Sequence, residues 1–221
     1  MSRFDGAAMT SAMIRIQSKR LMLILFAVAL ISLGVGVTAW KLTAGRQVEA
    51  IDAPLAGAKI GGPFRLIDQD GKVLSSESLK GRYRLMYFGY TYCPDICPTD
   101  VQKMSQGLRA FEAQDSKRAA TVQPIMVTID PERDTPAVMK QFVRAFHPRL
   151  IGLTGSPAQV KAALSTFAIY ARRAGPPAAT DYLMDHSAIM YLMGPDGEPI
   201  TFFARDATPD QIAADLAKYV R

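Results

Sequence analysis

Leu21 to Trp40 is a run of twenty residues without a charged side chain, preceded by Lys19-Arg20 and followed by Lys41. A helix of about twenty apolar residues matches the hydrocarbon thickness of a bilayer, and here apolar residues fill every face with no polar stripe. The run therefore predicts one transmembrane helix over residues 21–40. Arg3, Arg15, Lys19 and Arg20 favour a cytoplasmic segment over 1–20 by the positive-inside rule, and Trp40 falls where an interfacial aromatic anchor belongs. Everything after it then faces the non-cytoplasmic side. Two alternatives stand beside the anchor: a signal peptide cleaved near the small residues Val37-Thr38-Ala39, and a buried core helix. The first of these also exports the domain.

Residues 41–62 carry Gly45, Pro54, Gly57, Gly61 and Gly62 with few large apolar side chains, and read as a linker. The domain proper is expected over 63–221. The chain has 26 basic and 20 acidic residues, a net +6, of which the first forty residues carry +3. The remaining +3, spread over a full domain, excludes the concentrated basic stripe of a nucleic-acid binder. A chain that is 49% hydrophobic can build a core, and two cysteines are too few for a disulfide scaffold.

Strand and helix signals alternate from Phe64 onward. Phe64–Asp68 and Lys72–Leu74 flank an Asp70-Gly71 hairpin signal, Arg84–Tyr90 and Val122–Ile129 read as buried strands, and Pro98 to Gln114 has helical spacing. Thr135-Pro136, Ser156-Pro157 and Thr208-Pro209 each place a hydroxyl N-cap before a proline in the first helical turn. Strands at Ala188–Met193 and Ile200–Ala204 precede the last helix. The order βαβα then ββα predicts an α/β, thioredoxin-like fold with an N-terminal β-hairpin and further insertions.

Cys93 and Cys97 lie between the first core strand and its helix, in Cys93-Pro94-Asp95-Ile96-Cys97-Pro98. The helix N-terminus is expected to favour a thiolate at Cys97. Three residues separate the sulfurs, where thioredoxin-type redox pairs have two, and the pair can close as a disulfide or clamp a soft cation. His147, before Pro148, reads as a cation at a helix C-terminus. His186 ends a loop that the topology brings beside the cysteine turn, making a set of two sulfurs and one nitrogen. Such a set suits copper or zinc, with Asp185 as an orienting carboxylate or a turn residue. Arg133 and Asp134 receive no role.

Four segments in order, Tyr92–Pro98, Thr128–Pro136, Phe146–Gly155 and Asp181–Ala188, resemble the Sco/SenC family. That resemblance implies a membrane-tethered, thioredoxin-fold copper chaperone holding Cu(I) or Cu(II) through Cys93, Cys97 and His186. It implies as partners an upstream copper donor and subunit II of cytochrome c oxidase, whose dinuclear CuA centre receives the copper or whose cysteines are kept reduced. The alternative function is a thiol–disulfide oxidoreductase using Cys93 and Cys97 alone. Without an extended Arg/Ser-rich transit segment before the span, the expected location is a bacterial inner membrane with a periplasmic domain.

Overall fold

Seven consecutive buried residues, Tyr83–Gly89, form the strand β3 around which the domain is organised. A computed structural model describes residues 53–176 and 181–221; the expected span at 21–40 lies outside them. No helix among the described residues is long and apolar enough to cross a membrane. The elements in chain order are β1 (Arg65–Asp68), β2 (Val73–Ser75), β3, α1 (Ile96–Gln114), α2 (Ser116–Ala119), β4 (Val122–Thr128) and α3 (Pro136–Arg144). There follow β5 (Ile151–Thr154), α4 (Pro157–Thr166), β6 (Ala171–Arg173), β7 (Met184–His186), β8 (Met190–Met193), β9 (Pro199–Phe203) and α5 (Pro209–Tyr219).

Seven strands share one sheet in the order β2-β1-β5-β4-β3-β8-β9. Its centre, β5-β4-β3, is parallel, and each flank is an antiparallel pair. Parallel strands are covered on both faces, which accounts for the unbroken apolar runs in β3 and β4. The N-caps behave as expected: Thr135, Ser156 and Thr208 accept the N–H groups of Val138, Gln159 and Gln211. Gln159 and Gln211 Oε1 accept in return from the Ser156 and Thr208 N–H groups, completing two capping boxes. Each cap contributes about 1 kcal/mol.

One strand went unpredicted, and two local expectations are corrected. Strand β5 was hidden by Gly152 inside a four-residue run; the glycine is needed because a Cβ there would meet Met139 at 2.9 Å and Val143 at 3.0 Å, both on α3. Helix α1 starts at Ile96, so Cys97 lies inside its first turn with Asp95 at the N-cap. His186 belongs to a strand: β6 and β7 form a separate antiparallel ribbon, joined to the seven-stranded sheet by no ladder. Part of the expected linker is also docked on the domain. The Leu55 N–H donates to the Ile200 carbonyl, the Gly61 N–H donates to the Thr166 carbonyl, and Ala53, Leu55 and Ile60 pack on the core.

Helix α1 seats on α5 through Gly107, where a Cβ would stand 2.7 Å from Ile212 and 2.9 Å from the Pro209 carbonyl. Alanine improves helix propensity by up to about 1 kcal/mol, whereas overpacking costs about 1–3 kcal/mol. Gly107→Ala should therefore lower the chemical-denaturation midpoint, despite being a better helix former. A raised midpoint would mean that this contact is not tight.

Candidate metal centre

The first donor position is set by a steric exclusion. At Gly89, the last residue of β3, a Cβ would lie 2.6 Å from the Tyr87 ring and 2.9 Å from Cys97 Sγ. The sulfur is thus pressed onto the strand backbone, and Cys97 has no exposed surface. Behind it the Tyr87 hydroxyl donates to Asp100 Oδ2 at 3.3 Å. Asp100, three residues on from Cys97 and so on the same helix face, is itself buried; burial outweighs that hydrogen bond and raises its pKa.

Cys93 lies on the open side of the turn. The Cys97 N–H donates to Cys93 Sγ at 3.3 Å, so the unpaired donors of the helix N-terminus serve the earlier cysteine. The expectation of a stabilised Cys97 thiolate is therefore reversed. Burial pushes the Cys97 thiol up to about 12, with the Tyr90 backbone and the Tyr87 hydroxyl opposing it and losing. Burial would also raise Cys93, but the N–H groups of Cys97, Asp95 and Ile96 prevail and hold its pKa below the ordinary thiol value. Both thiols are free in this structure.

His186 reaches the buried sulfur, with Nε2 3.6 Å from Cys97 Sγ. Its Nδ1 lies 3.1 Å from the Ser187 carbonyl, which accepts that N–H and leaves the Nε2 lone pair facing the sulfur. Burial lowers the His186 pKa against the Ser187 carbonyl, Asp100 and Asp185, which favours the neutral ring that can bind a metal. Sulfur and nitrogen donors bound to one ion at about 2.3 and 2.0 Å lie roughly 3.5–3.7 Å apart, and the observed pair has that spacing. Cys93 and His186 open onto a cleft of about 340 Å³, whose walls include Asp95, Ile96, Leu183 and Arg205. Among the described residues no three His, Cys, Asp or Glu side chains already converge on one point, so Cys93 is the donor left to close.

Asp185 turns away from this cluster. Alternation along β7 puts its carboxylate on the other face, 3.2 Å from Arg172 Nη2 on the paired strand, and the Ser187 carbonyl holds the orienting position instead. His147 is buried rather than a surface cation: its Nε2 faces Glu112 at 3.4 Å, its Nδ1 accepts the Arg149 N–H, and burial lowers its pKa.

Arg133 and Asp134, left without a role by the sequence, brace the site together with Asp130. Buried Asp134 accepts from the Thr91 N–H and from the hydroxyls of Thr91 and Thr128, tying the cysteine loop to the end of β4. Asp130 accepts from Arg133 and from the Tyr182 hydroxyl. Asp100 was open to discovery by its spacing from Cys97 along α1, and the Asp130–Arg133 pair by its three-residue separation; the contacts with Thr91 and Tyr182 join segments far apart in the chain.

The thiol asymmetry has a direct chemical readout. With the reduced full chain and limiting iodoacetamide at neutral pH, fragment-ion mass spectrometry should place the first alkylation on Cys93, at least about tenfold faster than on Cys97. Equal labelling would contradict the assignment of thiolate to Cys93.

Comparison with known proteins shows which family the chain is similar to. The family model described as SCO1/SenC matches residues 52–221. An SCO2-like protein of Rickettsia felis is 40% identical over 194 residues, covering 84% of this chain and 92% of the relative. The structure of Bradyrhizobium japonicum ScoI with copper bound shares 46% identity at a TM-score of 0.65, covering 72% of this chain and 99% of that one. BsSco, described as having a disulfide switch and belonging to the Sco family of cytochrome c oxidase assembly proteins, is 29% identical at a TM-score of 0.58, covering 74% of this chain and 95% of that one.

Proposed function

The chain belongs to the SCO1/SenC family, and we propose that it is a membrane-anchored copper chaperone. In this reading it carries one copper ion on Cys93, Cys97 and His186 and assists assembly of the CuA centre of cytochrome c oxidase. The observation that carries the reading is the 3.6 Å approach of His186 Nε2 to the fully buried Cys97 Sγ. Two thiolates and an imidazole form a soft donor set, which suits copper, and the copper-bound state of the Bradyrhizobium relative supports that choice.

The cargo is taken up from the cleft side. Cys93 already carries the depressed pKa, and it lies at the surface where an incoming ion arrives. Cys97 gives up its proton only when the ion replaces it, because burial otherwise keeps the thiol protonated. His186 contributes a lone pair without losing a proton. A donor protein delivers to this cleft, and subunit II of the oxidase draws from it. Residues 21–40 hold the domain at a bacterial inner membrane, on the periplasmic side.

A second reading, thiol–disulfide exchange on the oxidase subunit or other exported proteins, is favoured by one observation. A half-buried Cys93 with a lowered pKa ahead of a buried Cys97 with a raised one is the asymmetry of an attacking and a resolving thiol. It needs no histidine.

Anaerobic titration of the reduced full chain with Cu(I) against a colorimetric chelator separates the two. The copper reading expects one ion per chain, affinity lowered at least about tenfold by His186→Ala, and tight binding abolished by Cys93→Ser or Cys97→Ser. Unchanged affinity in His186→Ala, together with disulfide turnover that survives it, would transfer the assignment to dithiol exchange.

A further inference from the structure

The donors sit on two separate pieces of structure. Cys93 and Cys97 follow β3 and open α1, whereas His186 ends a ribbon that shares no ladder with the main sheet. Side chains must hold one piece against the other. The Tyr90 hydroxyl accepts the Met184 N–H at 3.2 Å, and the Tyr90 ring meets the His186 ring edge-on with centroids 6.0 Å apart.

The larger brace comes from a third segment. The Arg133 guanidinium carbon lies 3.6 Å from the Tyr182 ring centroid, 4.8 Å from that of Tyr92 and 5.7 Å from that of Tyr90. Tyr90 and Tyr92 flank the start of the cysteine turn, and Tyr182 precedes His186 by four residues. Arg133 Nε pairs with Asp130 Oδ2 at 2.5 Å, while the Tyr182 hydroxyl donates to Asp130 Oδ1 at 2.8 Å, closing a ring of three side chains. Arg173, on the strand paired with β7, stacks on Tyr182 at 3.7 Å. Two guanidiniums this near one centroid must lie on opposite faces of the ring, so Tyr182 is clamped. Arg133 Nη2 is buried without a hydrogen-bond partner, so ring stacking and the Asp130 pair set the position of this side chain.

We infer that Arg133 is a positioning residue for the metal centre: by spanning Tyr92 and Tyr182 it sets the distance between the dithiol turn and the His186 ribbon. This rests on the copper reading above. Arg133 touches neither sulfur nor imidazole and acts only by holding the ribbon in place. A planar guanidinium is required, since lysine keeps the Asp130 ion pair but cannot stack between rings.

The test is a double-mutant cycle on the full chain, reading Cu(I) affinity by chelator competition and the fold by circular dichroism. Arg133→Ala should lower affinity about tenfold when His186 is present, and less than about twofold in the His186→Ala background. Arg133→Lys, the milder change if the alanine variant fails to fold, should show a smaller loss with the same dependence on His186. Equal losses in both backgrounds, or no loss with His186 present, would overturn the inference. If His186→Ala alone binds as tightly as the unsubstituted chain, the three-donor reading fails first, and the cycle reports that separately.

Discussion

Gly89 and Cys97 meet where the central strand hands over to α1, and the sulfur fills the space that any side chain at residue 89 would need. The rest of the site is arranged around that contact. Pressing Cys97 onto the strand removes it from water and raises its pKa, which leaves the helix N-terminus to serve the other sulfur. It also fixes one end of the gap that His186 closes from above. The burial that makes Cys97 a poor thiolate therefore makes it a well-placed donor.

The two cysteines differ although their sequence surroundings are nearly symmetrical, each followed by a proline. Local helix electrostatics predict the thiolate at the residue inside the first turn, and desolvation reverses that order. An unpaired charge held away from water costs several kcal/mol, more than a helix terminus returns. Direction of approach follows as well, since of the three donors Cys93 and His186 line the cleft and Cys97 does not.

Much of this was legible in the chain. The strands β3 and β4, the three hydroxyl-proline helix starts and the cysteine turn all carry local signals of period, cap or breaker, and each stands within two residues of its expected place. Cys97 and His186, 89 residues apart, were joined on topology and do meet. What escaped has no local signature. β5 is four residues long and interrupted by a glycine whose reason lies on α3. Asp185 seemed suited to orient its neighbour, but strand alternation sends adjacent side chains to opposite faces. In the Asp130–Arg133–Tyr182 ring the first two residues are three apart, but Tyr182 joins them from 52 residues away, which no spacing rule connects.

Helix α5 comes last in the chain, yet α1 rests on it at Gly107, and Arg118, just beyond α1, donates to the carbonyls of Ala217 and Val220. During synthesis both cysteines emerge more than a hundred residues before the helix that seats them. Until those later residues are in place, Cys97 has neither the burial nor the neighbouring imidazole of the finished fold. The properties that set the two thiols apart are therefore not local to the cysteine turn; they are completed by residues from far along the chain.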